Sequence, residues 1–407
     1  MAERISADVC IVGAGPVGGS LACRLATEGV ATVIIDRAPL PPMEHPAFDG
    51  RAYAIAAGSR GLLEAAGLWD RLPEPPGPIR DIRVSDGRLG RPASRLYLHF
   101  DYEQAGSDAP DAFGWMVEAR ALRVALNAHM HSLPGLRVFA PAQARAERSR
   151  AGAVVHITGG PAVDCRLLIA AEGKQSPLRK QAGIPVTQFP YDQAGIVCAV
   201  AHERPRHQTA LEHFLPAGPF AQLPMSATEG APDLSAIVWT EGRQAASRLF
   251  ALDDVPFTKQ IARRLGDHLG AIRLMGRRWL YPVSALHAHR YFDTRLVLVG
   301  DAAHAIHPIA GQGLNLGLRD ATALARLIIE AIWAGGDPGE PALLAQYQRL
   351  RRPDNLLMLA ATDALDRLFS TDNPAIRAIR DLGIAAVDRM PPLKQLFMRQ
   401  AMGNLGG

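Results

Sequence analysis

Six residues near the start of the chain, Gly13-Ala14-Gly15-Pro16-Val17-Gly18, lie between patterns of different period. Before them, Val9 to Val12 is a short apolar run that reads as a buried strand. After them a helical pattern runs to about Glu28, where Gly29 suits a C-terminal cap. Ala31 to Ile35 reads as a second strand and ends in Asp36, 18 residues after Gly18. A glycine-rich turn opening the helix of a β-α-β unit calls for a parallel sheet with a nucleotide at its edge. Gly13 and Gly15 permit the tight turn and the close approach of a pyrophosphate, and Gly18 lets the helix pack on the sheet. The helix N-terminus turns its unpaired N–H groups toward the phosphates. Asp36 is placed to hold ribose hydroxyls, and Pro16 and Arg37 complete the expected contacts.

The stretch Arg295 to Asp320 repeats this logic at the other end of the chain: R-L-V-L-V-G-D-A-A-H-A-I-H-P-I-A-G-Q-G-L-N-L-G-L-R-D. Leu296 to Val299 reads as a buried strand that Gly300 and Asp301 end, and a helical pattern starts near Leu314. Gly311 and Gly313 let backbone approach a flat ligand, and the free N–H groups of the next helix suit a ring oxygen that gains negative charge on reduction. Asp301 can accept hydrogen bonds from sugar-like hydroxyls. The first motif alone does not separate FAD from NAD; two motifs at opposite ends of the chain imply one long, extended FAD.

G-D-A-A-H followed by H-P-I-A-G-Q-G-L-N-L-G-L-R-D resembles the second FAD motif of class A flavin monooxygenases, the para-hydroxybenzoate-hydroxylase-like enzymes. The form H-P-x-A-G-Q-G-x-N-x-G is most similar to the ubiquinone-biosynthesis hydroxylase branch. The resemblance implies an α/β fold: a Rossmann-type, glutathione-reductase-like FAD-binding domain interwoven with a β-sheet substrate domain and C-terminal helices. It implies flavin contacts from Asp301, Pro308, Gly311, Gln312, Gly313, Leu314 and Asn315. Arg51, after Asp49-Gly50, is expected near the flavin ring and pyrophosphate, and Arg120, where a strand enters a helix, near the ribityl and phosphate region. Ala171-Glu172-Gly173-Lys174-Gln175-Ser176-Pro177-Leu178-Arg179 resembles the family's D-G-x-x-S-x-x-R element, which serves FAD and NAD(P)H, with Glu172 where the pattern has Asp.

The implied reaction is hydroxylation of the ring of a polyprenylated phenol or benzoquinol in ubiquinone biosynthesis. NAD(P)H or another donor reduces FAD, O₂ adds to give a flavin C4a-hydroperoxide, and a phenol-activated ring carbon attacks its distal oxygen. A base or proton relay is required. No residue is assigned to it; His304 and His307 flank the loop, and Pro308 would wall the ring. Alternatives are a hydroxylase or flavin reductase for a soluble small molecule, and a flavin-binding scaffold subunit of a biosynthetic assembly.

The division expected is 1–76, 116–180 and 286–335 for the FAD-binding domain, 77–115 and 181–285 for the substrate domain, and 336–407 for a helical region. Within these, Ile55 to Leu68 reads as a helix, Gly77 to His99 as strands with a hairpin turn at Asp86-Gly87, and Gln181 to Tyr281 as strands and loops. Pro341 to Phe369, Pro374 to Asp388 and Leu393 to Met402 read as helices.

The net charge of +4, from 44 basic and 40 acidic residues, gives no argument for nucleic acid but permits attraction to an anionic membrane surface. Four scattered cysteines without C-x-x-C or Cys/His spacing fit a reducing compartment and no structural metal. With no membrane-length apolar run and no signal-peptide pattern, a cytoplasmic location is expected. The amphipathic Leu393 to Met402 stretch leaves room for peripheral membrane association and for a complex with other quinone-biosynthesis proteins.

Overall fold

Val9, Cys10 and Ile11 are wholly buried, because their strand, Arg4–Val12, runs through the middle of a parallel sheet covered on both faces. Its neighbours are Ala162–Ala170 on one side and Thr32–Ile35 on the other. Leu296–Leu298 and Leu136–Phe139 extend the parallel array outward. Ala153–Ile157 and Ala144–Arg148 add an antiparallel flank. The helices Pro16–Thr27, Ala119–Ser132 and Gln312–Trp333 pack together over this sheet. This computed structural model describes residues 3–40, 48–87, 97–105, 111–228 and 230–369, with 398, 402 and 403.

A second, eight-stranded sheet has the order His304–Ala305, Ile272–Ala288, Val186–His202, Leu234–Gly242, Gly218–Met225, Thr209–Leu215, Asp81–Asp86, Tyr97–Asp101. One face carries Ile196, Cys198, Phe220, Ile237 and Trp239 and is closed by Phe257 and Ile261 of the helix Asp254–Leu265. On the other face Phe214, Leu98 and Val84 pack with Ile309, which belongs to the second glycine motif. A third sheet of Ala52–Ala56, Gly114–Glu118 and Gly77–Ile79 lies against this same face through Met116, Ala210 and Ala236.

The expected elements are altered in four places. Ile55 closes a strand, and the helix begins only at Ala57, because residues 52–56 pair with Gly114–Glu118. The tight turn expected at Asp86-Gly87 is absent. Ser85 pairs with Tyr97, so the antiparallel strands are joined by a longer connection, most of it outside the described residues. Two helices, Arg243–Phe250 and Asp254–Leu265, interrupt the zone read as strands and loops; Phe257, Ile261 and Leu265 at intervals of four are their signal. The strand Ala144–Arg148 is an addition to the expected elements. The helix Pro341–Phe369 is found with the expected bounds. Residues 41–47 of the proline-rich loop, the Pro374 to Asp388 helix and nearly all of Leu393 to Met402 fall outside the described residues.

Candidate functional site

The first glycine motif is built so tightly that side chains cannot enter it. A methyl on Gly13 would lie 2.3 Å from the carbonyl oxygen of Ala171, and one on Gly18 would lie 2.0 Å from that of Gly13. Gly13 also adopts a φ of +110°, which disfavours any residue with a Cβ. Gly15 is different: no protein atom lies within 4 Å of where its methyl would stand. It is the N-cap of Pro16–Thr27 and supplies no capping side chain, so the first N–H groups of that helix are left for a ligand. Asp36 reaches back from the end of its strand and accepts from the N–H of Ala14 (2.6 Å) and of Ala38 (2.8 Å). It thus shapes the glycine loop as well as standing beside it. Arg37 is exposed next to it.

The second motif meets the first through Val17. Methyls on Gly300 and Gly317 would lie 3.4 and 2.6 Å from the Val17 side chain, so both glycines serve close packing between the two motifs. Asp301 follows on the same short turn. The residue is exposed at the end of the strand, with protein packed about its carboxyl. Burial among the surrounding protein raises its pKa, against the pull of Lys174 and His304. Gly311 has a φ of +62° and caps the helix Gln312–Trp333 without a side-chain bond; Gln312, Gly313 and Leu314 form its half-buried first turn, beside the half-buried Pro308. No protein atom lies within 4 Å of a methyl placed on Gly313. Two uncapped helix starts, each beside a glycine facing open space, fit the diphosphate and ring ends of FAD. Asn315, also expected to touch the flavin, turns its side chain into the protein. It is 1% exposed, and its carboxamide is taken up by Ala56 N–H (2.8 Å) and Ala54 C=O (2.8 Å).

Arg51 and Arg120 are brought together by the third sheet. The Arg51 carbonyl accepts from Ala119 N–H (3.0 Å), which starts the helix carrying Arg120. The Arg51 guanidinium donates to Asp49 through Nε (2.9 Å) and lies 4.1 Å from the ring centre of Trp279, a residue of the second sheet. Burial works against its charge, yet Asp49 and Tyr281 hold its pKa above the ordinary arginine value. Arg120 donates to Glu118 (3.2 Å), while its Nε is buried without a hydrogen-bond partner, a donor left over for an anion.

Glu172 departs from the expected Asp, and the geometry shows what the longer side chain does. Its Oε2 accepts from the Ser176 hydroxyl (2.5 Å) and from Leu178 N–H (3.1 Å), while Ser176 caps Pro177–Gln181 at Arg179 N–H. Burial raises the Glu172 pKa despite these bonds and the nearby Arg179 and Arg37. Arg179 itself is buried and donates to the carbonyls of Ala302 (2.8 Å) and Lys174 (2.7 Å), tying this element to the second motif.

The two loop histidines point into protein. His304 Nε2 bonds Asp320 at 2.5 Å, both groups being buried. Asp320 also accepts from Gly300 N–H, Arg351 Nε and Asn355 Nδ2. Burial opposes its charge, but His304 and Arg351 prevail and hold its pKa at about 2. His307 Nε2 contacts Gln193 Oε1 (3.0 Å) and Asp366 (3.5 Å), and its ring meets Tyr191 edge-on. Burial keeps its pKa below the ordinary imidazole value, and its Nδ1 has no hydrogen-bond partner.

These features agree with comparisons to known proteins. The chain matches the family model described as "FAD binding domain" over residues 6–361. It is 48% identical to the ubiquinone hydroxylase UbiL of Rhodospirillum rubrum over 400 residues, covering 98% of this chain and 90% of that protein. It is 31% identical to the 3-demethoxyubiquinol 3-hydroxylase of Escherichia coli, covering 97% and 98% of the two chains. Among solved structures it is similar in fold to p-nitrophenol 4-monooxygenase PnpA of Pseudomonas putida, with a TM-score of 0.78, 18% identity and full coverage of both chains. No described helix is long and apolar enough to cross a membrane. Two glycine motifs joined at Val17 and a family match along most of the chain lead to one assignment: this protein belongs to the FAD-binding family, among the flavin-dependent aromatic-ring monooxygenases.

Proposed function

We propose that this chain hydroxylates the aromatic ring of a polyprenylated phenol or benzoquinol in ubiquinone biosynthesis, with O₂ as co-substrate and NAD(P)H or another donor as reductant. The observation that carries the reading is the meeting of two uncapped helix starts, at Gly15 and Gly311, beside a sheet face whose packing includes Ile309. The activities of the similar hydroxylases of Rhodospirillum rubrum and Escherichia coli suggest the substrate class.

FAD, when bound, supplies the chemistry that places one atom of O₂ on the ring. The protein's part is to hold and shield. Gly13, Gly15, Pro16 and Gly18 would seat the diphosphate, Asp36 and Arg37 the adenosine ribose, and Asp301 the ribityl chain. Arg51 and Arg120 would balance phosphate charge. The first turn at Gln312, Gly313 and Leu314 would stabilise negative charge on the reduced ring. The apolar face around Phe214 and Ile309 would keep water from the reacting oxygen. In this reading 1–76, 116–180 and 286–335 form the FAD-binding part and 77–115 and 181–285 the substrate part. The strands of the first sheet all fall in the FAD-binding ranges and most of those of the second in the substrate ranges, which supports that division, while His304–Ala305 and the third sheet cross it.

A prenylated substrate resides in a bilayer, so the reading includes contact with the membrane surface. Leu350, Leu357, Leu365 and Leu368 are exposed on Pro341–Phe369 and suit such contact. Co-sedimentation with anionic vesicles checks this part, and full recovery in the supernatant would remove it.

The central test is turnover of a prenylated phenol by the FAD-loaded protein with NAD(P)H or a chemical reductant. Hydroxylated product is expected in step with reductant consumed. Reductant consumed with hydrogen peroxide as the sole oxygen product, whatever the tail length, would overturn the reading.

A further inference from the structure

Activation of a phenol ring leaves a proton to be placed, and both loop histidines are engaged elsewhere. Glu212 stands mid-strand in Thr209–Leu215, paired with Val84 on one side and Ala221 on the other. The register puts Val84, Glu212, Ala221, Val238, Val197 and Trp279 in one row on one sheet face. At one end of that row Val84 packs against the apolar cluster that holds Phe214, two residues beyond Glu212, and Ile309 of the flavin loop. At the other end Trp279 carries the Arg51 guanidinium and donates to the Asp49 carbonyl. Two elements expected to border the flavin thus border the row that holds Glu212.

Glu212 is 8% exposed, and among the described residues its carboxyl makes no hydrogen bond or ion pair. Its oxygens are not among the buried atoms sealed from solvent, so they retain a small opening. Most buried carboxyls are paired, because an unpaired one costs stability. Here nothing in the sheet uses it. Charged and titratable groups on the same side are Asp86, paired in register with Phe214, the Asp49–Arg51 pair beyond Trp279, and His307 with Asp366, which meet this face at Gln193. Burial alone raises the Glu212 pKa, to about 7, so the group can both hold and release a proton near neutrality.

We propose that Glu212 receives the ring hydroxyl of the substrate and takes its proton during hydroxylation, an inference that rests on the function proposed above. The phenol O–H bond breaks and the proton passes to the carboxylate. The freed electron pair moves into the ring, and a ring carbon bonds one oxygen atom of O₂. The other oxygen atom leaves as water on two electrons that the donor supplies, with protons from the donor and solvent completing the water and the new hydroxyl. As the ring regains aromaticity its displaced C–H proton goes to solvent, and Glu212 returns its proton to the ring oxygen.

The test uses the FAD-loaded wild type, E212Q and E212L with 2-geranylphenol. Binding is followed by the flavin absorption change, and turnover as product per reductant across pH. Removing an unpaired buried acid is expected to leave folding intact, checked by flavin content and unfolding temperature. E212L is expected to weaken 2-geranylphenol binding by about tenfold or more, the loss of a hydrogen bond to a charged group. E212Q is expected to keep binding within about threefold, while losing the rise in kcat expected of the wild type as pH passes about 7. Unchanged binding in E212L, or an unchanged pH rise in E212Q, overturns the role of Glu212 while leaving the enzyme's function standing. A wild type that neither binds nor hydroxylates any prenylated phenol overturns both.

Discussion

Asn315 and Ala56 are hydrogen-bonded across 259 positions of sequence, carboxamide oxygen to backbone N–H at 2.8 Å, and the same carboxamide donates to Ala54. The side chain completes the ladder of strand 52–56 on the edge where, among the described residues, no further strand pairs, and so fixes the first turn of Gln312–Trp333 against the strand that follows Arg51. Asn315→Ala leaves a buried donor and acceptor unpaired. The expected loss is about 2–4 kcal/mol of stability, with faster release of FAD, read by thermal unfolding and by fluorescence of freed flavin.

Gly15 and Gly18 separate binding from folding. A methyl on Gly15 meets no protein atom, and its φ of −67° suits alanine; one on Gly18 would lie 2.0 Å from backbone. Gly15→Ala is therefore expected to fold with apo-protein stability within about 0.5 kcal/mol of the wild type and to lose FAD affinity. Gly18→Ala is expected to reduce soluble, folded protein. Circular dichroism beside flavin titration distinguishes the two; equal flavin affinity in Gly15→Ala and wild type would count against a diphosphate at this turn.

Arg51 pairs with Asp49 and lies on Trp279 in one geometry that only a planar guanidinium fills. Arg51→Lys keeps the charge and gives up the fork and the stacking. It is expected to weaken FAD binding by about tenfold and, because Trp279 belongs to the second sheet, to raise the KM for the ring substrate as well. Flavin titration and steady-state kinetics read the two effects separately.

Asp320 sets an acid limit. Its folded pKa of about 2 lies below the ordinary carboxylate value, so its contribution is fully present above about pH 4 and is lost as pH falls toward 2. That loss is on the order of 2 kcal/mol. Asp320→Asn is expected to lower stability near neutrality by about 3–5 kcal/mol, since His304 and Arg351 lose their partner. It is also expected to flatten the dependence on pH between 4 and 2. Urea unfolding at several pH values measures both.

Both glycine motifs are legible in the amino-acid sequence, because backbone geometry at Gly13, Gly18 and Gly311 leaves few other residue choices. The Asn315 bonds are not: Asn in a motif suggests a ligand contact, and only the fold brings Ala54 alongside. His304 is visible as a loop histidine, but its partner Asp320 sits on the next helix and looks like any helical acid in sequence. Glu212 gives no signal, since one acid in a short strand usually faces water. Which face it occupies depends on register with Ala221 in the next strand and with Val84 in a distant segment.

The sheet order carries a consequence for how the chain is made. The strand Ala162–Ala170 has Arg4–Val12 on one side; on the other, Ala153–Ile157 covers its first half and Leu296–Leu298 pairs with Leu168, Ile169 and Ala170. A ribosome that has released only the first two hundred residues has therefore exposed a nucleotide-binding half whose Ala162–Ala170 strand lacks its outer parallel neighbour. That edge is apolar and ready to pair with the wrong chain. Completion waits for a segment near residue 300, so the turn at Asp301, proposed above to hold the cofactor, arrives together with the strand that seals the sheet. Nascent chains stopped before Leu296 should need a chaperone, and those extended past Gly317 should not.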